Sequence, residues 1–214
     1  ELYLERGQDP DLLVKAIEDG VIAWHGLPVT THTELMDGKL FDYGLSISQR
    51  LDQRFGRHTI AAKMTDVPSH THAMVPHLVK AGIKYLHIGI NGSSKMVKLP
   101  PLCRLRYGED EVVLDYAALY GASSSFGEYA MEFAHTPDNS GPPSPESVAA
   151  EMERLHKKYP GAEIVSGTMD EFAEIVLAHK EELPVVTEEL GDTWIHGVST
   201  DPYKTAAYYE LLRL

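Results

Sequence analysis

Residues 64–76 read MTDVPSHTHAMVP, and this stretch decides how the chain is organised. The apolar residues from Thr59 to Met64 predict a buried strand that runs into Asp66, after which Pro68 breaks the backbone and delivers His70 and His72. Thr71 stands where a helix cap is needed, and Met74, Val75, Leu78 and Val79 recur at helical spacing up to the stop at Gly82. Pro76 removes one backbone donor near the start of that helix and is expected to bend it. Lys84 to Ile90 then alternates, with Leu86, Ile88 and Ile90 on one side and Tyr85, His87 and Gly89 on the other, as a strand with both faces in use. Strand, polar loop, helix, strand is the unit of a parallel sheet, and in such sheets the loops at the strands' C-terminal ends line one mouth.

Toward the N-terminus the same unit is anticipated. Asp9-Pro10 fits a cap followed by proline in the first turn, with Leu12, Leu13, Ala16 and Ile17 as the apolar stripe up to Gly20. Val21 to Trp24 reads as a strand entering a loop with His25, His32 and Glu34, and Leu35 to Phe55 reads as a helix broken at Gly38 and Gly44. Toward the C-terminus, Cys103 to Tyr107 and Glu111 to Tyr116 flank Gly108-Glu109-Asp110 as a β-hairpin, expected to be an excursion over one face near residues 102–116. Strands are expected at Glu128 to Ala134, Ile164 to Ser166 and Pro184 to Val186. Helices follow from Pro145, with Val148, Met152 and Leu155 buried, from the Thr168/Glu171 capping box, and from Asp201-Pro202 to Leu214.

Strands alternating with amphipathic helices predict one α/β domain over residues 1–214, an incomplete or complete (β/α) barrel, with a doubly wound open sheet as the alternative. Lys and Arg total 19 against 32 Asp and Glu, a net charge of -13, which repels nucleic acid and anionic membranes. No segment approaches the ~20 apolar residues of a membrane span. Cys103 is the single cysteine, so neither an intrachain disulfide nor a cysteine-based zinc cluster can form, and the compartment stays open. Glu1 onward lacks the regions of a signal peptide, and the chain reads as a piece of a longer polypeptide.

The predicted mouth gathers His25 to Glu34, Asp66 to His72, Asn91 to Ser94, His135 to Asn139 and Asp192 to His196. Aspartate and histidine without a usable thiol suit zinc or a similar divalent ion. His70 and His72, two positions apart, do not match the i, i+4 pair of a zincin helix. A carboxylate pair such as Asp66 and Asp138 suits glycoside cleavage, where their separation decides retention or inversion of configuration. Each residue also has a plainer reading: Asp66 as a turn former, the histidines as caps, Trp194 as core filler, Glu188-Glu189 as a solvated face.

The run TDVPSH followed by AMVPHLVKAGIKYLHIGIN, preceded by AIEDGVIAWHGLPVTTHTELMDG and an FGRH turn, resembles the catalytic domain of glycoside hydrolase family 38, the α-mannosidases. It resembles more closely an uncharacterised bacterial and fungal family related to them, which shares the TDVPSHT and GDTWIHGVSTDP stretches over roughly residues 9 to 205. The resemblance implies a seven-stranded (β/α) barrel, incomplete at its N-terminus here, with catalytic zinc and retention through a covalent glycosyl-enzyme. It makes Asp66 metal ligand and nucleophile, Asp138 the nearest acid/base, Asp192 and Trp194 a sugar platform, and His196 either a replacement metal ligand or part of that platform. His25, His32, Glu34, His70 and Asn91, from the loops at the predicted mouth, are expected as further substrate contacts. The remaining zinc ligands are expected in the rest of the parent polypeptide, so the isolated chain is expected to be inactive. The expected partner is a carbohydrate. A metal-assisted deacetylase or lyase, or a non-catalytic sugar-binding domain, are the alternatives.

Overall fold

The computed structural model describes residues 2–121, 123–136, 140–191 and 194–214. The strands are β1 (Ala61–Asp66), β2 (Tyr85–Ile90), β3 (Leu102–Tyr107), β4 (Asp110–Ala117), β5 (Ser123–Phe126), β6 (Tyr129–Glu132) and β7 (Val185–Val186). The helices are α1 (Leu2–Arg6), α2 (Pro10–Glu18), α3 (Gly38–Phe55), α4 (Val75–Lys80), α5 (Pro145–Lys158), α6 (Met169–Leu177) and α7 (Pro202–Leu212). One sheet has the order β1-β2-β4-β3-β7, and β5 and β6 form a separate antiparallel pair. No helix among the described residues is long and apolar enough to cross a membrane.

The expected seven-stranded barrel is not formed among these residues. β1, β2 and β4 run parallel, but β3 pairs antiparallel with β4 and carries the two-residue β7 along its far edge. A closed (β/α) barrel needs parallel neighbours throughout and no edges. The 102–116 hairpin is therefore no excursion. Val112 to Tyr116 are buried on both faces, and that surface is removed from water only when β4 lies centrally beside β2. The sheet is open, as in the alternative reading, but mixed.

The outer edge of β1 explains another departure. Val21 to Trp24 forms no strand; instead Gly26 N–H donates to Ala61 O at 2.8 Å, and Thr30 Oγ1 accepts from Thr65 N–H at 2.8 Å. His25 Nδ1 accepts from Lys63 N–H at 3.4 Å. Side chains thus occupy donors that a neighbouring strand would take, which protects the edge. Ile164 to Ser166 likewise forms no strand, and 128–134 splits its pairing into the short β5–β6 hairpin.

One face of the sheet packs Ala62, Met64, Leu86, Ile88, Ile90, Leu114 and Tyr116 against Phe41 and Leu45 of α3 and Val75 and Leu78 of α4. Each such aliphatic side chain contributes roughly 1.5–3 kcal/mol on burial. α3 is one continuous helix: Asp37 accepts from Leu40 N–H at 2.8 Å at its start, and left-handed Gly56 ends it. Gly44 is tolerated within it at a cost of about 1 kcal/mol. The other face packs Ala61, Tyr85 and Val113 against Phe172, Ala173 and Val176 of α6. α6 starts at the expected capping box, where Glu171 accepts from Thr168 N–H at 2.7 Å. Of the stripe expected in α5, Leu155 is buried and Val148 is exposed.

Candidate functional site

Asp66 closes β1 with φ at 84°, and Val67 N–H donates back to Thr65 O at 3.2 Å. That is a γ-turn of the strained, positive-φ kind, an arrangement that L-residues adopt rarely. The ladder holds it from the other side: Asn91 N–H donates to Asp66 O at 2.8 Å, one step past the Asp66–Ile90 pairing with β2. The Asn91 side chain is orientated by its neighbours. Its Oδ1 accepts from Ser93 N–H (2.9 Å) and Ser93 Oγ (2.6 Å), which leaves Nδ2 to donate to Asp66 Oδ1 at 2.8 Å and to the Tyr120 hydroxyl at 3.2 Å. Asp66 and Asn91 are half-buried, so the Asp66 side chain is held by Asn91 while the residue stays partly exposed.

The loop after Asp66 turns inward. The Tyr116 hydroxyl donates to Pro68 O at 2.8 Å, and Val67, Pro68, Ser69 and His70 are buried. His70 lies 3.4 Å from Thr33 Oγ1 through Nδ1, and Thr71 N–H donates to the same hydroxyl at 3.0 Å. Burial, helped by His32 nearby, lowers His70 to about 4, so its ring is neutral at physiological pH. His72 faces Glu189: Nε2 is 3.1 Å from one carboxylate oxygen and its N–H donates to the other at 2.9 Å. Glu189 thus links the 187–190 segment to the start of the α4 region while staying exposed to solvent, as expected of a solvated charge.

The remaining expected residues fall in three places. His25 is half-buried against β1, accepting from Leu27 N–H at 3.3 Å as well as from Lys63 N–H, and burial followed by the Lys63 charge lowers its pKa. His32 and Glu34 flank Thr33, and the Tyr209 hydroxyl of α7 donates to Glu34 O at 3.3 Å. Trp194 is half-buried with φ at 59°, and His196 is exposed. Asp138 and Asp192 lie outside the described residues. The structure therefore joins Asp66 directly to Asn91, and His70 to Thr33 beside His32 and Glu34.

The donors do not assemble a metal site. His70 is turned to Thr33 and His72 to Glu189, and among the described residues no three His, Cys, Asp or Glu side chains form a group able to hold an ion. The zinc that the family resemblance implies does not fit the described donor set.

A second polar cluster was not anticipated. Lys63, His87 and Asp115 are cross-strand neighbours in register on β1, β2 and β4, on the α6 side of the sheet. Lys63 Nζ lies 3.1 Å from His87 Nδ1, 2.9 Å from Tyr120 O and 4.5 Å from the Phe133 ring centre. His87 Nε2 is 3.7 Å from Asp115 Oδ2, which accepts from the Tyr85 hydroxyl. Burial lowers Lys63 to about 8 and His87 to about 3, and pushes Asp115 and Tyr85 up. The sequence signal was a charge inside each of two apolar strands, in IAAKM and in VVLDY, together with His87 between them.

No family model and no curated protein matches the chain, so the likeness to family 38 is not reproduced by either comparison. Among solved structures, the crystal structure of 4-alpha-glucanotransferase from Thermococcus litoralis superposes with a TM-score of 0.40 and 11% identity over 86% of this chain. The chain spans 29% of that enzyme's length.

Proposed function

We propose that this chain carries the nucleophile of a carbohydrate-active hydrolase, a retaining glycosidase in which Asp66 attacks the anomeric carbon. The observation that supports it is Asp66 itself: a non-glycine residue held in a strained γ-turn at the C-terminal end of a parallel strand, its carboxylate aimed by Asn91. Strain at one half-buried carboxylate, maintained by a dedicated donor whose other end is itself tied to Ser93, is the pattern of a preorganised reacting group.

In the first step an Asp66 oxygen forms a bond to the anomeric carbon as the glycosidic C–O bond breaks. The leaving oxygen takes a proton from a carboxylic acid, for which Asp138 is the proposed source. Water then adds to the anomeric carbon, its proton returns to the same carboxylate, and Asp66 is released. Asn91 donates to the Asp66 oxygen that is not attacking and fixes the carboxylate plane. No step is routed through a metal.

The test is covalent trapping in the protein with a panel of 2-deoxy-2-fluoroglycosyl fluorides, α-mannosyl first, followed by peptide mass mapping. An adduct on Asp66, absent in Asp66→Asn together with turnover of nitrophenyl glycosides, is expected. An adduct on another residue, or Asp66→Asn retaining turnover, overturns the reading, as does saturable sugar binding with no hydrolysis by the wild type.

A further inference from the structure

Lys63 is the cation of the second cluster, and its strand also carries Asp66, on the opposite face of the sheet. Between them runs a loop of unusual backbone. Leu119, Tyr120 and Gly121 are consecutive left-handed residues, with φ of 54°, 62° and 70°. For L-residues this conformation costs about 1–2 kcal/mol each, so the loop persists only where its surroundings fix it. Tyr120 N–H donates to Ile90 O at 2.8 Å, Gly121 N–H to Ala118 O at 2.9 Å, and Lys63 Nζ to Tyr120 O at 2.9 Å. The approach is possible because two positions have no side chain. A Cβ on Gly89 would overlap the Tyr120 carbonyl, and one on Gly121 would overlap the His87 ring. The far end of the same Tyr120 places its hydroxyl on Asn91 Nδ2, which holds Asp66.

We propose that Lys63 is a positioning residue for the Asp66 carboxylate, acting through the carbonyl and hydroxyl of Tyr120 and the side-chain amide of Asn91; the inference rests on Asp66 being the reacting group. Lys63 is enclosed by the Tyr120 carbonyl, His87 and the Phe133 ring, so its ammonium serves the loop. The groups that face it are His87 from β2, Asp115 from β4 and His25 from the segment beside β1. The two histidines have lowered pKa values, and Asp115 is a carboxyl pushed up by burial.

Asn91 and Asn139 are the chain's two asparagines, so nitrogen-15 asparagine labelling gives two side-chain amide pairs, assigned with an Asn139→Ser variant. In the wild-type chain the Asn91 Nδ2 resonance is expected to move with a midpoint near the Lys63 value of about 8. In Lys63→Met that midpoint disappears and the Asn91 side-chain protons exchange about tenfold faster, the loss of one hydrogen bond. Tyr120→Phe, which keeps the carbonyl on Lys63 and removes only the hydroxyl, likewise speeds Asn91 exchange. A folded Lys63→Met with wild-type Asn91 exchange overturns the proposal. So does a wild-type Asn91 resonance that stays fixed through the Lys63 titration, followed on the Lys63 side chain itself, a result that needs no variant to fold. These readouts do not depend on turnover, so failure of the nucleophile reading appears in the trapping experiment alone.

Discussion

Asn91 Nδ2 lies 2.8 Å from Asp66 Oδ1, and the backbone of the same asparagine donates to the Asp66 carbonyl at 2.8 Å, so one residue grips the strained turn at both ends. Strain and grip are separable by substitution. Asp66→Gly loses the side-chain bond but relieves the positive φ, whereas Asp66→Ala loses the bond and keeps the strain. Asp66→Ala is therefore expected to be about 1 kcal/mol less stable than Asp66→Gly in urea unfolding, with neither variant trapping a fluoroglycoside. Equal stabilities would show that the left-handed turn is not maintained in solution.

The close approach of the 118–121 loop gives a second prediction. Alanine at Gly89 would strike the Tyr120 backbone, and alanine at Gly121 would strike the fully buried His87 ring while holding φ at 70°. Neither neighbour can give way as a flexible surface side chain would. Each substitution is expected to cost about 2–3 kcal/mol in thermal or urea unfolding, against a change within about 0.5 kcal/mol for Gly141→Ala, which meets nothing. A Gly89→Ala variant as stable as Gly141→Ala would place the loop elsewhere.

How far the sequence reached follows from which constraints are local. The strand into Asp66, the Thr71 cap, the stop at Gly82 and the alternation of 84–90 all depend on neighbours within a few positions, and they appear in the structure almost in place. The hairpin at 102–116 was also legible, but its position beside β2 was not, because strand order depends on pairing across distant segments. A cue was present: VVLDY is a continuous apolar run apart from Asp115, the pattern of a strand covered on both faces. At the site, Asp66 stood out as the acid at a strand's end. Tyr120 did not, because its role depends on a left-handed loop that no residue pattern announced. Lys63, His87 and Asp115 become one cluster only through register.

Two buried histidines make the fold sensitive to acid. His70 and His87 are fully buried, with values lowered to about 4 and about 3, so the folded state keeps both neutral while the unfolded chain protonates them near 6.5. The unfolded state binds more protons below pH 6.5, and stability falls with pH from there toward those values. Each group contributes up to about 1.4 kcal/mol per pH unit across that window. Asp115, pushed up by burial, works in the opposite sense, so the diagnostic is the slope in a variant. His70→Gln is expected to flatten the dependence of urea-unfolding stability between pH 6 and pH 5, and an unchanged slope would remove His70 from the account.

Asp170 ties the second layer to the strand that ends at Asp66. On the first turn of α6, its Oδ1 accepts from Ile60 N–H at 3.1 Å and from Ala61 N–H at 2.7 Å, so it covers the donors at the very start of β1. Burial pushes its carboxyl pKa up while those two donors pull it down, which is the balance expected of a carboxylate retained for its acceptor geometry. Asp170→Ala leaves two part-buried backbone donors unmet and is expected to cost about 2–3 kcal/mol. Asp170→Asn keeps one acceptor oxygen of the same reach and is expected to cost about 1 kcal/mol. Urea unfolding of the two variants separates the contributions: an Asn variant as damaged as the Ala variant would mean that the charge holds α6 on β1, and a mild Ala variant would mean that the apolar contacts of Phe172 and Val176 suffice.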